Sequence, residues 1–297
     1  MSGRRIPKAL TVAGSDSGGG AGIQADLKTF QELGVFGMSA ITAVTVQNTF
    51  GVGGVYPLPP EAAAEQIRAV GEDLGVDALK TGMLFDAGVI RAVAAEIRSF
   101  GWERVVVDPV MIAKGGAELL RREAVLALKQ ELLPLALIIT PNIPEAEVLA
   151  GMSIRSMRDR REAARIIGAM GPKLVVIKGG HDASPGGGSY DGGSAAGTEA
   201  TEVVVDLVYD GSGFTELAGR RINTVHTHGT GCTYSAALTA GLARGMAVQD
   251  AISLAREFIQ AAIEEGLGLG RGQGPTNHWA YRRRQELQRD RVLEAGR

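Results

Sequence analysis

Short apolar runs rich in β-branched residues alternate with longer stretches of helical period along most of the chain. The strand candidates are residues 9–13, 39–46, 78–81, 105–108, 135–140, 174–178 and 203–208. The helix candidates are residues 22–33, 60–74, 87–99, 121–132, 144–149, 158–170, 231–244 and 248–266. Strands that are apolar on both faces need helices above and below them. The pattern therefore predicts an α/β fold, a three-layer α/β/α sandwich with a mostly parallel central sheet.

The domain organisation follows from length and from the absence of a linker-like segment. The 297 residues could form one large α/β domain or two average ones. Because no stretch within 1–297 has the composition of an interdomain linker, we expect a single domain. The segment 184–198 reads SPGGGSYDGGSAAGT and is too polar to order itself, which predicts a solvated loop or a mobile flap beside a ligand. We expect the basic segment 280–297 to form a solvated extension.

Charge and cysteine content narrow the possible partners. The net charge of −2 provides no field that would gather nucleic acid or an anionic membrane. One cysteine cannot form an internal disulfide, which fits a reducing compartment. The residues before Gly14 lack the apolar core of a signal peptide, and no apolar run of about 18 residues occurs. We therefore expect a cytoplasmic protein with no nucleic-acid partner and no membrane partner.

The residues that follow the predicted strands are candidates for a binding site. In open parallel sheets, ligands bind beyond the carboxyl ends of the strands. The corresponding positions here are residues 14–16, 47–48, 82–83, 108–109, 141–142 and 179–181. Nearly every one of these strand exits carries a glycine, a proline or a polar side chain, as active-site loops do.

A glycine-spaced turn, His228-Gly229-Thr230-Gly231-Cys232-Thr233, opens a predicted helix of small residues. Several backbone N–H groups can converge there, and the positive end of the helix dipole adds to them, so the turn predicts an anion site. Cys232 stands in its first helical turn, where we expect the dipole to lower the pKa of the thiol from about 8.5. The alternative is a small buried apolar residue.

Three acidic residues each admit two interpretations. Asp26 stands one turn into the first predicted helix, either as a surface acid that compensates the dipole or as a ligand for a hydroxyl group. Asp108 ends an apolar run, where a carboxylate usually caps a neighbour or binds a cation. Glu145 follows Asn142 by three residues, which fits a capping box or a carboxylate that helps to hold Mg²⁺ through water.

Two other classes of site are disfavoured. The glycines at 18, 20 and 22 do not have the G-x-G-x-x-G spacing of a dinucleotide fingerprint. The acidic residue expected after the second strand is absent, and Gln47-Asn48 stand in its place. The four histidines and the single cysteine show no metal-ligand spacing. We expect neither a dinucleotide oxidoreductase nor a structural metal.

Taken together, these motifs resemble the hydroxymethylpyrimidine/phosphomethylpyrimidine kinases of thiamine biosynthesis, which belong to the ribokinase-like superfamily. The resemblance runs from about residue 9 to about residue 278 and is carried by segments 13–26, 43–49, 80–83, 107–111, 140–146, 178–181 and 227–233. It implies a ribokinase-like α/β/α sandwich, a homodimer, and ATP and Mg²⁺ as cofactors. It also implies phosphorylation of 4-amino-5-hydroxymethyl-2-methylpyrimidine, and then of its monophosphate to the diphosphate.

The resemblance also implies roles for individual residues. Those at the phosphoryl-transfer end are the proton acceptor Cys232 and the turn residues Gly229, Thr230 and Gly231. Those that contact the pyrimidine are Gln47, Asp26, Met83, Gly14 and Val110. Those that contact the nucleotide are Lys178, Asn142 and Thr140, and those that hold Mg²⁺ through water are Asp108 and Glu145.

Two alternatives to this function remain open. The first is a pyridoxal or pyridoxine kinase of the same superfamily, because the hydroxymethyl group of a pyridine ring is chemically close to that of the pyrimidine. The second is a pyrimidine-binding protein without turnover. Gln47 favours the aminopyrimidine, since an amide offers both a donor and an acceptor. Cys232, Asp108 and Glu145 favour a working enzyme.

Overall fold

A computed structural model describes residues 5–111, 122–180 and 203–295 of the chain. The strands are β1 (Lys8–Asp16), β2 (Phe36–Asn48), β3 (Gly51–Pro57), β4 (Ala78–Thr81), β5 (Val105–Val107), β6 (Ile138–Ile139), β7 (Leu174–Ile177), β8 (Val203–Tyr209) and β9 (Phe214–Arg220). The α-helices are α1 (Gly22–Glu32), α2 (Pro60–Asp73), α3 (Ala87–Phe100), α4 (Arg122–Ala127), α5 (Ile143–Ala150), α6 (Met157–Gly168), α7 (Thr230–Ala243), α8 (Val248–Glu264) and α9 (Ala280–Ala295).

The strands form one sheet in the order β3-β2-β1-β4-β5-β6-β7-β8-β9. Strands β2, β1, β4, β5, β6 and β7 run parallel to one another. The pairs β2–β3, β7–β8 and β8–β9 are antiparallel. The sheet is therefore mixed at its edges and parallel at its centre, which confirms the predicted fold class.

Helices cover both faces of the sheet. Apolar side chains of α2 to α6 pack on one face, and those of α1, α7 and α8 pack on the other. Successive side chains of β1 point to opposite faces of the sheet, so one strand packs against both helical layers. Ala9 faces the α7 side, and Leu10 faces the α3 side. Because the central strands are buried on both sides, the carboxyl ends of those strands are the part of the sheet that can receive a ligand.

Two edge strands and one break in a helix differ from the sequence-based expectation. Strands β3 and β9 alternate half-buried and exposed residues and contain glycines, so neither has a continuous apolar run. The predicted helix 121–132 changes after α4 to a wider, π-type turn over Leu128–Leu132 and then to a 3₁₀ turn over Leu133–Leu135. Pro134 has no N–H to donate and ends the helix. The predicted strand 135–140 is consequently shortened to β6.

The basic segment 280–297, expected to be a solvated extension, forms helix α9 over most of its length. The ring of Tyr281 lies 5.5 Å from that of Phe258 in α8. Arg284 Nη1 lies 2.7 Å from Glu264 Oε2, and Arg282 Nε lies 3.3 Å from Glu32 Oε2. These contacts hold the first turns of α9 against α8 and α1, while its later turns are exposed.

Two further observations complete the fold. The segment 184–198, expected to be a loop or a flap, lies outside the described residues. None of the helices in the described part of the chain is long and apolar enough to cross a membrane. The expectation of a single domain stays a prediction.

Candidate active site

A cavity of about 920 Å³ opens at the carboxyl ends of the parallel strands. It is lined by Asp16 at the end of β1, Gln47 in β2, Asp108 after β5, Asn142 after β6 and Lys178 after β7. The turn that begins α7 forms another part of its wall. The predicted strand exits therefore meet in one cavity, as the topology of an open parallel sheet requires.

The residues of the first turn of α7 line this cavity. Gly229, the residue before the helix, has φ +81°, and a Cβ there would lie 1.7 Å from the carbonyl oxygen of Gly20. The two glycine loops are thus in direct contact. Thr230 donates from its hydroxyl to Thr227 O at 2.7 Å. The amides of Gly231 and Cys232 have no acceptor within the helix, because they belong to its first turn. They can bind an anion.

Cys232 is a half-buried residue in the wall of the cavity. Burial raises the pKa of its thiol to about 11, although the Lys80 ammonium opposes the shift. The carboxylates of Asp26 and Asp108 raise it further. The predicted lowering of this pKa is therefore wrong, because desolvation and two nearby carboxylates outweigh the end of the helix dipole. The thiol therefore holds its proton at neutral pH.

Asp108 and Lys178 form a buried ion pair beside the turn. Lys178 Nζ lies 3.1 Å from Asp108 Oδ1, and the hydroxyls of Thr140 and Ser235 donate to the same carboxylate at 3.2 and 3.1 Å. Burial raises the pKa of the Asp108 carboxyl, but Lys178 and Lys80 more than offset this, so that the pKa lies below its usual value. The pair is therefore charged at neutral pH and contributes an ammonium to the cavity.

Asn142 and Glu145 form the expected capping box at the start of α5. Asn142 Oδ1 accepts from the Glu145 amide at 2.9 Å, and Glu145 Oε2 accepts from the Asn142 amide at 2.8 Å. Both residues nevertheless line the cavity. Burial raises the pKa of Glu145 to about 7, and the charge of Asp108 adds to the shift while Lys178 opposes it. A nearby cation would stabilise the ionised form of this carboxyl.

The donor set at this end suits Mg²⁺ bound mainly by water and phosphate oxygens. Asp108 and Glu145 offer carboxylate oxygens from two sides of the cavity. Within residues 5–111, 122–180 and 203–295, no three His, Cys, Asp or Glu side chains are grouped closely enough to enclose a metal ion. Magnesium commonly uses one or two carboxylates together with substrate phosphates. The residues present therefore fit the ion.

Gln47 lies in the cavity beside two side chains. Its Nε2 lies 3.2 Å from Nε2 of His228, and its Oε1 lies 3.2 Å from the hydroxyl oxygen of Thr45, which also donates to Ser15 O at 2.9 Å. His228 in turn lies beside Asp16, whose carboxylate also accepts from the amides of the Gly18–Ala21 loop. The sequence singled out neither Asp16 nor the imidazole of His228, although Asp16 stands at a strand exit.

Part of the cavity wall is apolar. Met83 and Val110 pack around Ala43 and line the cavity. A Cβ on Gly14 would lie 2.4 Å from Cε of Met83, so the absence of a side chain at Gly14 leaves room for the thioether. A flat ring can lie between this wall and the amide of Gln47.

Two candidate site residues lie behind the cavity wall. Asp26 is buried, and its carboxylate lies 2.7 Å from Lys80 Nζ and accepts from the Thr11 hydroxyl at 2.6 Å. The interpretation of Asp26 as a surface acid is therefore wrong, and its side chain is not part of the lining. Thr140 is likewise buried and supports Asp108 from behind. Lys80 went unnoticed in the sequence, although a lysine inside an apolar strand signals a buried partner.

The chain is similar to known proteins over most of its length. A family model described as phosphomethylpyrimidine kinase matches residues 16–277. The hydroxymethylpyrimidine/phosphomethylpyrimidine kinase of Bacillus subtilis is 55% identical over 278 residues, which cover 94% of this chain and 97% of that protein. The kinase of the same description from Haemophilus influenzae is 51% identical over 280 residues, 94% and 98% of the two chains. The solved ADP complex of Bacillus subtilis pyridoxal kinase has a TM-score of 0.81 and 42% identity, and the match covers 94% of this chain and 99% of that one.

Proposed function

The chain belongs to the phosphomethylpyrimidine kinase family and is a kinase, and on that premise we propose its substrates and the roles of its residues. It transfers a phosphoryl group from ATP to the hydroxymethyl group of 4-amino-5-hydroxymethyl-2-methylpyrimidine. It then phosphorylates the monophosphate to the diphosphate, in thiamine biosynthesis. One observation carries the proposal: a single cavity is lined both by Gln47, Met83 and Val110 and by the first turn of α7, with Cys232.

The pyrimidine binds between Gln47 and the apolar wall of Met83 and Val110. The amide of Gln47 offers a donor and an acceptor, which matches an exocyclic amino group beside a ring nitrogen. The amide lies against Thr45 and His228, which limit its movement before the ligand arrives. The ring then directs its hydroxymethyl group towards α7.

The phosphoryl group is held at the start of α7. The amides of Gly231 and Cys232 donate to its oxygens, and the ammonium of Lys178 adds positive charge from the side. Cys232, as a thiolate, accepts the proton of the substrate hydroxyl while the hydroxyl oxygen attacks the γ-phosphorus, and the bond from that phosphorus to the bridging oxygen breaks to release ADP. The raised pKa of the thiol means that nearby cations must favour its ionisation for this step.

ATP extends from this turn towards α8. The cavity continues to the apolar side chains of Ile259, Ile263 and Val225, which suit a purine ring. Lys178 and Asn142 lie along the path of the phosphates, and Thr140 supports the site through Asp108. Asp108 and Glu145 would hold Mg²⁺ through water. When bound, the ion neutralises charge on the phosphates.

A coupled ATP assay tests the substrate assignment. The hydroxymethylpyrimidine, its monophosphate and pyridoxal are offered separately to the same preparation, with ADP formation as the readout. We expect turnover of both pyrimidines. Turnover of pyridoxal alone contradicts the assignment, and binding of the pyrimidine without ADP formation identifies a binding protein that has no kinase activity.

Pyridoxal is the second candidate substrate. The observation in its favour is the 42% identity to a solved pyridoxal kinase over almost the whole of both chains. Pyridoxal also carries a hydroxymethyl group on a six-membered nitrogen heterocycle, so it fits the same general site. The ratio of kcat/KM values for the two ring systems, measured in the assay above, decides between them.

The assembly and location of the protein are also proposals. We propose a homodimer, supported by exposed apolar side chains on β2 and β3, among them Phe36, Val46 and Tyr56. Light scattering on the purified protein tests the mass of the assembly. We propose a cytoplasmic location, supported by the single cysteine. Cell fractionation tests this.

A further inference from the structure

Lys80 is a lysine placed entirely inside the protein. Its side chain in β4 has 0% exposure, as has that of its partner Asp26 in α1, and Nζ lies 2.7 Å from Asp26 Oδ1. The Thr11 hydroxyl donates to the other oxygen of the carboxylate at 2.6 Å. Burying two charges costs more than burying apolar side chains of the same size, so the pair is not explained by stability alone.

The buried pair lies directly under the start of α7. Lys80 Nζ is 3.5 Å from the carbonyl oxygen of Cys232. The Ser235 hydroxyl lies 3.0 Å from the same oxygen. The positively charged ammonium group of Lys80 therefore contacts the first turn of α7 from the protein interior. The Gly22 amide donates to Cys232 from the start of α1, so two elements meet at this residue.

We propose that Lys80 is a positioning residue for phosphoryl transfer, which fixes the first turn of α7 and stabilises the negative charge that Cys232 carries after losing its proton. Asp26 holds the ammonium in place and keeps it charged in the protein interior. The role of Lys80 in turnover rests on the proposed role of Cys232 as proton acceptor. The electrostatic link between the two residues can be measured without turnover.

The charged groups around Cys232 shift the pKa of its thiol in opposite directions. The ammonium groups are Lys80 from β4 and Lys178 from the end of β7, and the carboxylates are Asp26 from α1 and Asp108 from the end of β5. Burial is the main reason that the pKa of the thiol is raised; Lys80 opposes it, and Asp26 adds to it. Loss of Lys80 and loss of Asp26 must therefore change the acidity of Cys232 in opposite senses.

Alkylation of Cys232 by iodoacetamide measures this acidity, because the full-length chain contains one cysteine and only the thiolate reacts. Rates are measured against pH without substrates. We expect Lys80→Met to slow alkylation at neutral pH about tenfold and Asp26→Asn to accelerate it by a similar factor, the effect of one charge at close range. With substrates, Lys80→Met should lower kcat and leave KM for the pyrimidine nearly unchanged.

Thr11→Val is the matched control, because it removes a hydrogen bond to Asp26 and changes no charge. Its alkylation profile should follow the parent protein. If Lys80 only fills space, both charge variants will change the rate in the same direction or not at all, and the proposal fails. If Lys80→Met does not fold, the double variant Lys80→Met/Asp26→Asn replaces it. Its rate at neutral pH should lie below that of Asp26→Asn, and an equal or faster rate overturns the proposal.

The turnover of Cys232→Ala distinguishes the proposed role of Cys232 as proton acceptor from the proposed role of Lys80. If Cys232→Ala retains turnover, the thiol is not the proton acceptor, and the proposed mechanism fails whatever the alkylation rates show. If Cys232→Ala is inactive and the alkylation rates do not respond to Lys80→Met and Asp26→Asn, only the role of Lys80 fails.

Discussion

Nε2 of His228 lies 3.0 Å from Oδ2 of Asp16. Burial raises the pKa of the Asp16 carboxyl, but hydrogen bonds from His228, Ala21 and Gly18 more than offset this, so that the pKa lies below its usual value. An ionised carboxylate only accepts hydrogen bonds, so the imidazole directs an N–H towards it. This contact joins the loop after β1 to the residue that precedes the glycine turn of α7.

Asp16→Asn should weaken substrate binding more than it slows chemistry. The amide cannot accept from three backbone N–H groups and an imidazole as the carboxylate does, so His228 and then Gln47 lose their fixed positions. We expect a rise in KM for the pyrimidine with a smaller change in kcat. Asp210→Asn is the control, because Asp210 also accepts from backbone amides but in an exposed turn far from the cavity. Equal effects of the two variants on KM would contradict this role.

Gly229→Ala should abolish activity and destabilise the fold, whereas Gly245→Ala should be tolerated. Both glycines have nearly the same φ, +81° and +80°, so alanine pays the same left-handed strain of about 1–2 kcal/mol at either site. A Cβ at Gly245 meets nothing within 4 Å, but one at Gly229 lies 1.7 Å from Gly20 O. Measuring urea unfolding and kcat for both variants separates the effect of backbone strain from that of the steric clash with Gly20 O. A similar loss of stability in the two would disprove the close contact.

Glu145→Gln should remove a pH dependence of stability. The pKa of Glu145 is raised from 4.5 to about 7, so between these values the folded protein holds a proton that the unfolded chain has released. Stability therefore falls as pH rises through this window, and below it both states are protonated. We expect the Tm of Glu145→Gln, relative to the parent, to be higher at about pH 8 than at about pH 5. If the plots of Tm against pH for Glu145→Gln and the parent protein were parallel, the pKa of Glu145 would not be shifted.

Cys232→Ala should nearly abolish turnover and leave pyrimidine binding intact. The side chain is small, and the amides proposed to bind the phosphoryl group belong to the backbone, so the shape of the cavity survives the change. Binding is measured by calorimetry and turnover by ADP release. Cys232→Ser is the companion variant, since a hydroxyl is far less acidic than a thiol. Near-normal rates in Cys232→Ala would remove the thiol from the mechanism.

The sequence predicted the central layers of the fold better than its edges. Strands buried on both faces, such as β1, β4 and β7, contain short apolar stretches and were placed at or near their true positions. Strands β3 and β9 are half exposed, so no apolar run marked them. Helix α9 was missed because its order depends on ion pairs to distant acids such as Glu32, which no local pattern contains.

The same limit applies to the site. Strand exits and the glycine turn are local features, and the sequence located them. The pairing of Lys80 with Asp26 joins residues 54 positions apart, and the pairing of His228 with Asp16 joins residues 212 apart. The acidity of Cys232 was misjudged for a related reason. A helix terminus is visible in the sequence, whereas the burial and the carboxylates that oppose it come from other elements of the fold.

Helix α7 is buried along its length from Thr233 to Ala243, between the sheet and its neighbouring helices. Its amides should therefore exchange with solvent hydrogen only when the whole protein opens, unlike those of ordinary active-site loops. The turn proposed to bind the phosphoryl group is the start of this helix, and we expect it to share the rigidity of the helix. Heat or denaturant should therefore abolish activity in the same transition that unfolds the protein, with no earlier inactivation step.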